Sequence, residues 1–171
     1  MFQKIEAQNV ANSGWNYTST SSYITLQFWI KSSVAQNFYG YLKTEDGTDQ
    51  SYAFETGSLT ADTWTKITKT IPGNSNLQFD NDNGTGLFVI LNPYLGTNRT
   101  DSGVTLNQWG AYSSSARTPV ATTTWWTTND ATFELTGVQL EVSDHATEFE
   151  MKSYDDEFSR CQRYYQRWAG S

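Results

Sequence analysis

Cysteine is almost missing from this chain: Cys161 is the only one in 171 residues, which excludes an internal disulfide framework. Histidine is as scarce. With His145 alone and no G-x-S-x-G elbow around any serine, the usual nucleophile–base constellations lack their parts, and the chain reads as a non-enzyme. No apolar stretch approaches the ~18 residues of a helical membrane span, and the opening MFQKIEAQNV lacks the basic start and apolar run of a secretory signal. Membrane insertion is therefore not expected. Charge is thin as well: Asp, Glu, Lys and Arg make up 17% of the residues, below the roughly 25% of ordinary soluble domains. The net charge is −7, and no basic stripe precedes the last segment. A phosphate backbone would find nothing to hold it, so nucleic-acid binding is not expected.

What fills the space is Thr, Ser, Asn and Gln, with seven Trp, ten Tyr and nine Phe. Threonine and aromatics suit a pleated surface, whereas the helix formers Ala and Lys are few. Tyr23 to Lys31 alternates strictly: Ile24, Leu26, Phe28 and Ile30 share one face, and Thr25, Gln27, Trp29 and Lys31 the other. That is a half-buried strand. Phe38–Lys43, Ser51–Glu55 and Thr63–Ile71 follow, separated by Glu45-Asp46-Gly47 and closed by Pro72-Gly73-Asn74. Leu87–Leu91 is apolar throughout and predicts a central strand buried on both faces. Weaker strands are expected at Val104–Trp109 and Pro119–Trp125, and a last one at Ala131–Val142. In that last strand the apolar parity switches at Gly137, which predicts a bulge. Eight or nine short strands predict an all-β, two-sheet antiparallel sandwich of the jelly-roll kind over 1–150, with a helical extension over 151–171.

The extension has a different period. Tyr154, Phe158, Cys161, Tyr165 and Trp168 recur at intervals of four, three, four and three, a helical stripe. Ser153 suits the N-cap, Asp155, Asp156 and Glu157 the first turn, and Arg160, Arg163 and Arg167 the later turns. The stripe is expected to pack on the sandwich or at a subunit interface, with Cys161 as a small core residue.

Chemistry is sought among the aromatics. Flat rings stack on sugar faces while neighbouring amides and carboxylates bond the hydroxyls. Trp29, Tyr39 and Tyr41 fall on the polar side of their strands, and Trp125 and Trp126 lie together in TTTWWTTND beside Asn129 and Asp130. In an extended chain one Trp can anchor while its neighbour is presented. Against this stands packing of the same rings on a second sheet or subunit. The loop DNDNGTG, Asp80 to Gly86, fails the EF-hand pattern because Gly84 takes the fifth position and Leu91 the twelfth, so it reads as a tight turn.

Thr136 to Tyr165 carries a compound motif: Val138-Gln139-Leu140-Glu141, then Ala146-Thr147 with Phe149-Glu150, then Cys161-Gln162-Arg163-Tyr164-Tyr165. It resembles the closing stretch of a carbohydrate-binding-like jelly-roll module of bacteriophage tail-fibre and other virion structural proteins. Ser143 and Glu148 depart from the Gly and Pro usual there. The resemblance implies a virion location, a homotrimer, other virion proteins as partners and a host-cell surface glycan as ligand. A purely structural decoration or fibre-shaft role is the alternative, and the carbohydrate-binding appendage of a depolymerase a third. Terminal strands in similar jelly rolls share a structural calcium. That resemblance makes Glu6 and Glu141 its candidate ligands; no other cofactor is expected.

Overall fold

A computed structural model describes residues 1–165. In chain order the elements are β1 (Phe2–Glu6), α1 (Ala7–Ala11), β2 (Tyr23–Ser32), β3 (Asn37–Thr44), β4 (Gln50–Ser58), β5 (Thr65–Pro72), β6 (Thr85–Asn92), β7 (Trp109–Ala111), α2 (Thr124–Thr127), β8 (Phe133–Glu141) and α3 (Tyr154–Gln162). The strands form two sheets, β1-β6-β3-β4-β7 and β5-β2-β8, and every pairing within them is antiparallel. The fold is thus an all-β sandwich with a short C-terminal helix.

Alternation builds the core. Ile24, Leu26, Phe28 and Ile30 of β2 are all buried and meet Leu42, Phe54, Leu87 and Leu91 from the facing sheet. Each such side chain contributes about 1.5–3 kcal/mol on leaving water. The polar side of β2 is buried too: Thr25 and Gln27 are covered, because the chain after β8 crosses over them. The expected bulge is present. Trp29 pairs with Thr136 and Gln27 with Gln139, so β8 carries one residue more over that span, and Gly137 takes φ +60°. A left-handed residue at a bulge favours glycine.

Three expected strands are revised. Leu87–Leu91 lies within β6, the second strand of its sheet, and only one face is fully covered: Phe88 and Ile90 are half-buried on the other. Val104–Trp109 is loop, and the strand is Trp109–Ala111. Pro119–Trp125 holds no strand, its end entering the single helical turn α2. Between β6 and β8 the chain therefore runs largely through loops, and these cover the part of the outer face of the five-stranded sheet around Tyr41.

The residues of the compound motif bond one another. Gln139 Nε2 donates to Thr147 Oγ1 at 3.2 Å, and Glu150 N donates to Gln139 Oε1 at 2.9 Å. Glu141 accepts from Thr147 N at 2.9 Å and from Thr147 Oγ1 at 2.7 Å. Thr25 Oγ1 and Gln27 Nε2 donate to the carbonyls of Ser143 and Thr147, both at 2.9 Å. V-Q-L-E, at the end of β8, thus holds A-T-x-F-E as a strap that lies across β2.

Burial pushes the Glu141 carboxyl up, but its hydrogen bonds from Thr147 and Gln139 and the nearby His145 outweigh that and hold it low. A carboxyl lowered by folding stabilises above the ordinary carboxylate range, and that stability is lost as pH falls through the folded value. Glu141→Gln should therefore melt below the parent at neutral pH, with the gap closing on acidification. A gap independent of pH between the two melting curves would remove the strap carboxylate from this role.

Candidate functional site

The aromatic candidates do not share one surface. Trp29 is exposed on the outer face of the three-stranded sheet, against Gly137 and near Phe149. Tyr39 is half-buried on the outer face of the opposite sheet, beside Tyr94 and Asn92. Tyr41 was expected to be available on that face. It is 2% exposed, because the loops after β6 lie over it and Arg117 Nη1 donates to its hydroxyl at 3.4 Å. Burial raises the Tyr41 hydroxyl above its ordinary value, opposed by the Arg117 charge. Tyr41 is therefore a packing residue.

Trp125 and Trp126 point apart, though from a helical turn rather than an extended chain. In α2 successive side chains diverge by about 100° instead of alternating. Trp125 turns inward, with its ring 6.4 Å from Phe38 and 6.1 Å from Phe133, both near edge-on. Its indole N–H donates to Thr132 O at 2.9 Å, and its backbone N–H donates to the buried Gln36 Oε1 at 2.8 Å. Trp126 turns outward. It is 64% exposed and lies flat on Tyr94, with centroids 5.1 Å apart and planes at 12°. One indole face is backed by an aromatic ring while the other meets water. Two residues beyond α2, Asn129 Nδ2 donates to Asp130 Oδ2 at 2.6 Å, with Asp130 at φ +57°.

Tyr94 was missed in sequence because it follows the Asn92-Pro93 exit of β6 with no periodic pattern to place it. A groove was missed for the same reason. On the outer face of the five-stranded sheet, Ser51, Ala53, Gly110 and Ala111 form the floor of a cleft of about 310 Å³, rimmed by Asp101 and Gln108. Its floor is made of small residues that carry no signal of their own.

The candidate calcium ligands are both engaged by the protein. Glu6 Oε2 accepts from Gln8 Nε2 at 2.6 Å and from Arg163 Nη2 at 2.7 Å, while Glu141 holds Thr147. Among the described residues no group of three or more His, Cys, Asp or Glu converges. In DNDNGTG, Asp82 Oδ1 accepts from Gly84 N at 2.9 Å, the turn expected there.

His145 sits in an exposed turn with its Nδ1 2.6 Å from Asp144 Oδ1, and that contact holds the Asp144 carboxyl low. Ser143 Oγ lies 3.4 Å from the same ring nitrogen. A relay needs serine and carboxylate on opposite nitrogens, so this trio is not one.

Ser153 caps α3 as expected, accepting from Asp156 N at 3.3 Å. The described part of the stripe, however, does not lie on the sandwich. Tyr154, Phe158 and Tyr165 are exposed, and Cys161 is exposed as well, correcting its reading as a core residue. Trp168 and Arg167 lie outside the described residues. Comparison with protein-family models, curated proteins and solved structures finds no match.

Proposed function

We propose that the chain is a glycan-recognition module of a bacteriophage virion appendage, with Trp126 as the ring that stacks on the sugar. The observation that carries this reading is the exposed Trp126 indole lying flat on Tyr94. An indole backed by a second ring, with its open face in water, presents a flat apolar surface that suits the face of a pyranose. Trp125 supports it from beneath, as an anchor rather than a contact. Asn129 and Asp130 lie next to the turn that bears it, where an amide and a carboxylate can bond hydroxyls. The closing motif links the chain to virion proteins by resemblance, and the host-cell surface glycan is the ligand that follows from it. The net charge of −7 favours neutral or cationic saccharides over polyanionic ones, which would be repelled at low salt.

Stacking on one ring buries little area, so binding by a single copy should be weak, and display of several copies would raise avidity. Trp126→Ala should abolish retention on a glycan array and on host envelope while leaving the melting temperature unchanged, because the ring is exposed and lies outside the core. Retention equal to the parent would move the site elsewhere, the small-floored groove being next in line. If the parent itself holds no glycan and no envelope, the structural virion role replaces this one.

A further inference from the structure

The helix α3 carries its apolar residues on one side and turns that side away from its own sandwich. At 3.6 residues per turn, Tyr154, Phe158, Cys161 and Tyr165 fall within a band of about 60°, and Arg163 falls on the opposite side. The helical geometry reaches the end of this band, since Tyr165 N donates to Cys161 O at 3.1 Å. Arg163 Nη2 meets Glu6 Oε2 at 2.7 Å, where β1 ends. The polar side of α3 is thus tied to the body. The stripe is left in water, with Tyr154 77%, Phe158 50% and Tyr165 74% exposed. Tyr154 and Phe158 are already stacked, 5.8 Å apart and 15° from parallel.

We infer that α3 is a self-association element, its stripe packing antiparallel against the same stripe of a second copy. The spacing of four, three and four is that of a helix–helix seam, which is complementary to itself. Charge sets the direction. Asp155, Asp156 and Glu157 occupy the first turn, while Arg160 lies in the last and is not engaged by Glu6. Antiparallel pairing brings the acidic end of one helix to the basic end of the other and opposes their dipoles. A parallel bundle, such as a three-fold one, would gather the carboxylates of every copy at one end. In the antiparallel register Phe158 faces Cys161 of the second copy and Tyr154 faces Tyr165. The Arg163–Glu6 contact, on the far side of each helix, leaves both sandwiches outside the pair, where they do not collide. This inference is independent of glycan binding, and it departs from the homotrimer that the resemblance implies.

Light scattering and sedimentation of the full chain over a micromolar concentration series test it. The expected mass is twice 19.3 kDa, and Phe158→Asp should return it to that of one chain with the thermal melt of the sandwich unchanged. Direction is tested by disulfide formation. Phe158→Cys, with Cys161 retained, should oxidise readily to a covalent dimer, whereas the parent should not. The proposal is overturned by a monomeric parent, by a mass three times that of the chain, by an assembly indifferent to Phe158→Asp, or by ready Cys161–Cys161 linkage in the parent.

Discussion

Gly73→Ala is expected to cost at least about 3 kcal/mol, the upper end of what overpacking does. A Cβ at this position would lie 2.4 Å from Tyr17 O and 2.5 Å from Ser19 O. Both are backbone atoms, so no side chain can swing aside. Nor can the backbone yield easily. Gly73 N donates to Ser22 O at 2.9 Å, and Asn74 N donates to Tyr17 O at 2.8 Å. One residue earlier, Pro72 O accepts from the Trp109 indole at 2.7 Å. The end of β5, the loop leading into β2 and the start of β7 are therefore pinned to one another here, and the extra methyl strains all three. Equilibrium denaturation measures the loss. Gly110→Ala is the control: nothing lies within 4 Å of its added Cβ, and its stability should stay within about 0.5 kcal/mol of the parent. Equal behaviour of the two variants would mean that the 16–22 loop moves freely, contrary to its hydrogen bonds.

The same junction shows how much was legible beforehand. Pro72-Gly73-Asn74 reads as a strand stop because proline and glycine punctuate the chain locally; that the stop is also a clasp depends on Tyr17, Ser22 and Trp109, all distant in the chain. Local signals served well where the cause was local. The alternation in β2, the parity switch at Gly137 and the Ser153 cap were all readable, since each follows from the residues in place. Readings failed where distant chain decides burial. Thr25 and Gln27 look solvent-facing by alternation, yet the strap covers them. Tyr41 looks available by the same rule, yet Arg117 and its loop close over it. Leu87–Leu91 looks buried on both faces because it is apolar throughout. Its outer residues are only half-buried, with the Phe2 ring of the edge strand β1 6.4 Å from Phe88 and Lys43 Nζ of β3 5.5 Å from that ring.

The candidate site was half legible for a related reason. Two adjacent tryptophans must point differently in any regular backbone, so an anchor and a presented ring could be expected without knowing whether the turn was extended or helical. Trp29 and Tyr39 could not be assigned to a shared surface, because which sheet a strand joins is a matter of topology, and β2 and β3 went to opposite sheets. The stripe on α3 was legible as a stripe. Its direction was not, since that depends on a single ion pair between Arg163 and Glu6, 157 residues apart in the chain.

Phe38→Ala should lower stability by about 3–5 kcal/mol, as expected for removing a buried aromatic ring, and should also impair the Trp126 platform it never touches. Phe38 is a core residue of β3, with its ring 5.1 Å from Phe133 and 6.4 Å from Trp125. These three rings meet edge-on and form the seat on which α2 rests. Only one helical turn is present, far too short to hold itself, so its position depends on tertiary contacts. Without Phe38 the Trp125 indole loses an edge contact, and its bonds to Thr132 O and Gln36 must hold the turn alone. Trp126 would then lose its registry over Tyr94. The expected signature is a lower melting temperature together with weakened glycan retention, measured at a temperature where the variant is still folded. Phe38→Leu should recover most of the stability and part of the retention, because it refills the volume without restoring the edge-on contacts. Trp126→Ala provides the contrast, losing retention with no loss of stability. Should folded Phe38→Ala retain glycan as well as the parent, the Gln36 and Thr132 hydrogen bonds would be sufficient to position α2, and the aromatic seat would serve stability alone.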